Sequence, residues 1–145
     1  MIWDFFDPGN VTGIARFDNG RLVYADAMRF EALIRMPSMR DIHGTFKHKT
    51  TIELPQSYRV DHQKGDQNDL IRLAWQAGKI DERHGAIDAT ELVLPRDWKG
   101  QRPKHVTRNR AEAVLDPFEL SLIRKDDHNL WDAVAIGLAK LGRVT

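Results

Sequence analysis

Alternating apolar and polar positions dominate the first thirty residues and predict three strands joined by tight turns. The first strand covers residues 2–7, and Pro8-Gly9 follows it, with Gly9 expected to supply the positive φ of a type II turn. A second strand is predicted over 14–17 and a third over 22–28, joined by the type I′ hairpin signal Asn19-Gly20. These segments predict an antiparallel meander.

After the meander, the pattern of apolar and polar residues is less regular. Residues 30–36 fit two helical turns, whereas 39–49 lacks periodicity and is interpreted as a loop. His43 and His48 in this loop raise the possibility of a metal site. No partner ligands follow them at a metal-site spacing, which favours a solvated basic loop.

A strand, a helix and a further strand are predicted next. Residues 50–54 form the strand, and a helix capped by Asp66 or Asn68 is expected to end at Gly78. The last strand covers 90–94, and this order favours a parallel pair joined by a right-handed crossover. The fold class is therefore α/β, with three antiparallel strands, then two parallel strands, and helices on the faces.

The C-terminal third predicts three helices. Residues 96–110 carry six basic side chains against one acidic side chain, which suits phosphate contacts but also a solvated helix face. A helix is expected to run to Leu115, and a short one to begin at Asp116-Pro117. From 130 to 141 the only charged residues are Asp132 and Lys140, so this helix is predicted to be buried.

Composition narrows the class of protein. The chain has 145 residues, 41% hydrophobic and 30% charged, with a net charge of +1, and we expect one domain over 1–145. It has no Cys, which excludes disulfides and thiolate metal sites and fits an intracellular, cytoplasmic protein. No apolar run approaches the ~20 residues of a membrane span. Asp4 and Asp7 interrupt the first apolar run, which argues against a signal peptide.

Three carboxylates each end or interrupt an apolar element: Asp7, Glu53 and Asp132. Asp7 also fits a simple turn-capping role, because Asp before Pro-Gly is common turn chemistry. Burial of an unpaired carboxylate such as Asp132 in a core helix costs free energy, and a cation shared with other carboxylates would offset that cost. Oxygen ligands without Cys suit Mg²⁺ or Mn²⁺, and carboxylates around two such ions are what phosphodiester hydrolysis needs.

The sequence resembles the RuvC-type Holliday-junction resolvases of the RNase H-like superfamily, and more closely their short phage-associated members. The resemblance covers roughly residues 2–142, and its motifs in chain order are Phe6-Asp7-Pro8-Gly9, Thr12-Gly13, Ile52-Glu53, 64–71, Trp98-Lys99-Gly100-Gln101 and Asp132-Ala133. It implies a sheet of order 3-2-1-4-5, a homodimer, and paired nicks in four-way DNA junctions with Mg²⁺ or Mn²⁺.

The resemblance also implies roles for single residues. Asp7, Glu53 and Asp132 would be catalytic metal ligands. The family's fourth ligand, an Asp or His, corresponds to Asn129 here, a weaker ligand, and His128 or Asp127 could replace it.

DNA contacts are implied in two regions. Tyr58 lies near the position of an aromatic that stacks on an unpaired base, although it could simply cover its loop. The other candidates for contact with DNA are Lys64, Lys99, Lys104 and Arg108. The apolar stripe of the helix after Asn68 is either a dimer surface or core: Leu70, Ile71, Leu73, Trp75 and Ala77.

Three other functions remain open at this stage. ATP-binding proteins of the actin and Hsp70 type need two such lobes, and this chain has length for one. A branched-DNA-binding module without catalysis is compatible with Asn129. A nuclease acting on flaps, forks or RNA–DNA hybrids would use the same carboxylates.

Overall fold

The structure is a computed structural model, and it describes residues 1–39, 47–57, 66–86, 89–123 and 127–144. The elements in chain order are β1 Ile2–Asp7, β2 Val11–Asp18, β3 Arg21–Arg29, α1 Phe30–Arg35, β4 His48–Glu53, α2 Gln67–His84, β5 Thr90–Val93, α3 Pro95–Trp98, α4 Lys104–Val114, α5 Pro117–Ser121 and α6 His128–Lys140.

The five strands form one mixed sheet in the order β3-β2-β1-β4-β5. The β1–β2 and β2–β3 pairs are antiparallel, whereas β1–β4 and β4–β5 are parallel. This confirms the predicted class and strand order. Because β1 and β4 are parallel neighbours, their carboxyl ends lie at the same edge of the sheet.

Of the two turn conformations predicted in the meander, one is confirmed and one is wrong. Asn19 and Gly20 have φ values of 47° and 85°, which confirms a turn of the predicted kind between β2 and β3. The positive φ predicted for Gly9 is wrong, because Gly9 is absent from the described residues with positive φ. A Cβ on Gly9 would instead lie 3.0 Å from the carbonyl oxygen of Val11, so close approach of backbone favours glycine there.

The predicted boundaries of two elements, α2 and β4, were also wrong. The helix α2 does not end at Gly78 but continues to His84, where Gly85 is the C-cap. Tertiary packing of Ile80 and His84 extends the helix past a residue that weakens it locally. The strand β4 begins at His48, inside the segment 39–49 that was predicted as a loop. Residues 40–46 of that segment lie outside the described residues.

Helices pack on both faces of the sheet. Phe5 belongs to an apolar cluster with α6, whereas its neighbour Phe6 belongs to a cluster with α1 and α2. The alternation of side chains along β1 explains this division, because successive residues point to opposite faces. Eight residues of α6 are buried, including Leu130 and Ile136, which confirms that it is a core helix.

A buried ion cluster crosses the sheet at Asp4. Arg16 Nε donates to Asp4 Oδ1 at 2.6 Å, and His48 Nε2 lies 2.7 Å from Asp4 Oδ2. Burial alone would raise the pKa of Asp4, but hydrogen bonds from Arg16 and His48 outweigh it and lower that pKa. His48 is therefore a buried structural partner rather than part of a solvated loop.

Across the described part of the chain, none of the helices combines the length and the apolar character that a membrane crossing requires.

Candidate active site

Asp7, Glu53 and Asp132 lie near the carboxyl edge of the sheet, close enough for the charges of the other two to act on Asp7. Asp7 is the last residue of β1 and Glu53 the last residue of β4, immediately beyond the paired residues Phe6 and Ile52. Asp132 lies near the start of α6, and its charge and that of Glu53 both act on Asp7. The three side chains that sequence reasoning singled out are therefore neighbours.

Gly13 allows α6 to reach this edge. It pairs with Asp7 across β1 and β2, and a Cβ on Gly13 would lie 2.0 Å from the carbonyl oxygen of Asn129. Only a residue without a side chain admits that approach. The start of α6 therefore rests directly on β2, one strand away from Asp7, and this contact places Asp132 beside the strand ends.

The cluster is electrostatically unfavourable by itself. Burial raises the pKa of Asp7 well above its usual value, and the charges of Glu53 and Asp132 raise it further. Burial also raises the pKa of Glu53, although the Lys99 charge and a hydrogen bond from Trp98 offset part of the effect. Such a cluster stabilises added positive charge.

Two donors of the protein already contact the cluster. Lys104 Nζ donates to Asp132 Oδ2 at 3.0 Å. Partial burial alone would lower the pKa of Lys104, but the hydrogen bond and charge of Asp132 outweigh that effect and raise it. Trp98 Nε1 donates to Glu53 Oε2 at 2.5 Å. Lys99 Nζ lies 5.0 Å from the Trp98 ring centroid, close enough for its charge to act on Asp7 and Glu53.

The donor set fits Mg²⁺ or Mn²⁺, since all three side chains offer hard carboxylate oxygens. Within the described ranges, no three His, Cys, Asp or Glu side chains are already arranged around a common ion position. Glu53 is bonded to Trp98 instead, and Asp132 to Lys104. The Lys104 ammonium therefore competes with a cation for the charge of Asp132, while it contacts only Oδ2 of that carboxylate.

The residues considered for a fourth ligand lie at the start of α6. Asp127 is the N-cap, and its Oδ1 accepts from the backbone N–H of Asn129 at 3.1 Å and that of Leu130 at 3.5 Å. Asn129 is half-buried against β2, while His128 is exposed. Asp127 thus has a structural role that accounts for one of its oxygens.

The predicted DNA-contacting residues fall into two groups. Tyr58 and Lys64 lie outside the described residues. Lys99 and Lys104 contact the carboxylate cluster or its surroundings, as described above. Arg108, one turn beyond Lys104 on α4, pairs with Glu112 at 3.1 Å and lies 5.1 Å above the Trp131 ring.

Sequence reasoning assigned no role to Trp98 or Gly13, although both lie in motifs of the resemblance. Their partners, Glu53 and Asn129, are 45 and more than one hundred positions away, and no local periodicity links them. A tryptophan isolated in a basic, polar segment was the available signal for Trp98.

The fold is similar to that of RuvC from Thermus thermophilus. One structure, described as T. thermophilus RuvC in complex with Holliday junction substrate, matches with a TM-score of 0.61 and 17% identity, over 96% of this chain and 92% of that chain. Another T. thermophilus RuvC structure matches with a TM-score of 0.56 and 15% identity, over 100% of this chain and 99% of that one. The sequence matches no protein-family model and no curated protein. At this identity the likeness establishes a RuvC-like fold.

Proposed function

We propose that this protein is a metal-dependent endonuclease that cuts branched DNA, with the four-way junction as its main substrate. The observation that carries the proposal is the placement of Asp7, Glu53 and Asp132 near the carboxyl edge of a RuvC-like sheet, where their charges act on one another. A fold alone does not define a function, so the argument depends on this site.

The three carboxylates would hold Mg²⁺ or Mn²⁺, with Asn129 as the first choice for a fourth ligand and His128 as the alternative. The bound cations would supply a lowered pKa for the attacking water and positive charge for the leaving oxygen. Hydrolysis in this manner leaves 5′-phosphate and 3′-hydroxyl ends. Asp7, with both neighbouring carboxylates acting on it, is the central ligand.

Basic residues beside the site would hold the DNA backbone. Lys104 is two-thirds exposed and reaches the site from α4, so it can move from Asp132 to a phosphate when a cation binds. Lys99 and Arg108 flank it, and we also propose that Tyr58 and Lys64 contact the DNA. These contacts contribute affinity and salt dependence rather than sequence choice.

A homodimer would present two such sites to a junction with two-fold symmetry. Ile71 and Trp75 on α2 have exposed fractions of 68% and 55%, although both are large and apolar. The Trp75 ring packs on Phe30 at 5.3 Å, which holds the exposed indole in place. We assign the dimer contact to this face of α2.

We also propose that residues 1–145 form a single domain, and that the protein acts in the cytoplasm of a bacterial or phage-infected cell.

The direct test is cleavage of a labelled four-way junction beside linear duplex, flap DNA and an RNA–DNA hybrid, each with Mg²⁺ and with Mn²⁺. We expect paired nicks across the junction, and their loss in Asp132→Asn. Asp18→Asn is the matched control, because Asp18 pairs with Ile2 at the opposite end of β1 and is half exposed.

Other outcomes would redirect the proposal. If the protein binds the four-way junction tightly but makes no nicks with either Mg²⁺ or Mn²⁺, a branched-DNA-binding module is favoured, which is the function compatible with the neutral Asn129. Cutting of flaps or hybrids alone would retain the chemistry and change the substrate. Unchanged cleavage by Asp132→Asn would contradict the assigned site.

A further inference from the structure

The segment after β5 forms a rigid support beside Glu53. Leu54 N donates to Val93 O at 2.8 Å, and Arg96 N donates to Gln56 Oε1 at 3.0 Å, so the ends of β4 and β5 stay joined beyond the last paired residues. Since β4 and β5 are parallel, the chain leaving β5 begins directly beside the strand end that carries Glu53.

The short helix α3 holds Trp98 on this support. Asp97 Oδ2 accepts from Leu94 N at 2.9 Å at the start of α3. At its end, Arg102 donates to the carbonyl oxygens of Trp98 and Lys99 at 3.1 and 3.0 Å. The Trp98 side chain is 7% exposed and belongs to the apolar cluster of α6. Its indole is thus fixed by packing and by both ends of its helix.

The indole donates to only one oxygen of Glu53, namely Oε2, at 2.5 Å. An indole has a single N–H, accepts no hydrogen bond and carries no charge. It can therefore orient a carboxylate without neutralising it, and it leaves the second oxygen for another partner. Lys104 on Asp132 is different, because an ammonium competes with a metal ion for the same negative charge.

We propose that Trp98 is a positioning residue for cation binding: it orients Glu53 through Oε2, which would leave Oε1 available to a cation held by Asp7, Glu53 and Asp132. The inference rests on the proposed function. Hydrogen-bond partners of metal ligands orient those ligands in this way, and their loss typically weakens metal binding about 10- to 100-fold.

Trp3 provides a matched control within the same sheet. Its Nε1 donates to Thr51 Oγ1 at 2.9 Å, two residues before Glu53 on β4, and Lys49 Nζ lies 5.1 Å above its ring. Trp3 thus shares the hydrogen-bond type and the lysine contact of Trp98. It lies at the other end of β1 from Asp7, about 13 Å away at the usual rise per strand residue.

The experiment measures Mn²⁺ binding by electron paramagnetic resonance, without DNA and without turnover, in wild type, Trp98→Phe, Trp3→Phe and Glu53→Gln. We expect Trp98→Phe to weaken Mn²⁺ binding at least about 10-fold. Trp3→Phe should bind as wild type does. Melting temperatures in EDTA measure the structural cost of each Trp→Phe change separately from its effect on metal binding.

A second measurement covers the case in which Trp98→Phe does not fold. The Trp98 indole ¹H–¹⁵N signal should shift on Mg²⁺ addition and in Glu53→Gln, while the Trp3 signal stays in place. An unchanged Trp98 signal in Glu53→Gln, or wild-type Mn²⁺ affinity in Trp98→Phe, overturns the positioning role. If instead wild type binds no Mn²⁺, or Glu53→Gln binds it normally, the proposed metal site fails and this inference fails with it.

Discussion

Asp7 is destabilising for the same reason that it suits a metal site. Burial and the charges of Glu53 and Asp132 raise its pKa, so its ionised form is disfavoured in the fold. A carboxyl whose folded pKa exceeds its unfolded value stabilises the protein at low pH. That contribution is lost as pH rises through the folded pKa.

We therefore expect Asp7→Asn to increase the free energy of unfolding in EDTA at pH 7, because the variant removes an ionised carboxyl that the fold disfavours. The same variant should bind junctions normally and cut none. Urea unfolding from pH 4 to pH 8 checks this, since wild type should lose stability relative to the variant as pH rises. A variant less stable than wild type at pH 7 would show that the three charges do not repel as inferred.

The sequence indicated the three candidate carboxylates but not the residues that position them. Asp7, Glu53 and Asp132 were predictable because each interrupts apolar chain, where an uncompensated charge is costly. Trp98 and Gly13 act on residues far away in sequence. Their roles follow from which strands are neighbours, and no local pattern contains that information.

At the scale of elements, errors occurred where packing overrides local preference. Gly78 predicted a helix end, yet α2 continues because Ile80 and His84 are buried against the sheet and α1. His48 was assigned to a basic loop, yet it pairs with Asp4 across the β1–β4 interface. The hairpin at Asn19-Gly20 was predictable because its backbone requirement is entirely local.

Substitution of two glycines by alanine should change the stability of the protein in opposite directions. Gly78 lies within α2 and has open space where a Cβ would be added, so Gly78→Ala should raise the free energy of unfolding by about 0.4–1 kcal/mol. Gly13→Ala should lower it by about 1–3 kcal/mol, because α6 must move away from β2. Thermal and urea unfolding measure both changes.

The variants also differ in metal binding. Displacement of α6 moves Asp132 away from Asp7, so Gly13→Ala should weaken Mn²⁺ binding while Gly78→Ala leaves it unchanged. Wild-type stability and Mn²⁺ affinity in Gly13→Ala would refute the inferred contact between α6 and β2.

At the scale of the molecule, strand order followed from a simple pattern. A meander followed by a strand–helix–strand unit restricts the possible sheets to a few, and the resemblance selected the order 3-2-1-4-5. The exposure of Ile71 and Trp75 was not predictable, because an apolar stripe on a helix suits a core and a subunit contact equally well.

If the protein makes paired nicks in a junction, it needs two sites, so the proposed dimer would be a property of the whole molecule. We expect wild type to sediment as a dimer, and Trp75→Glu to sediment as a monomer, because a charge in an apolar contact must be desolvated. Phe118→Glu is the control, since Phe118 is 50% exposed on α5 and lies outside the proposed contact. The monomer should nick junctions singly, as its carboxylates are intact. A monomeric wild type that still makes paired nicks would exclude α2 as the surface that couples the two cuts.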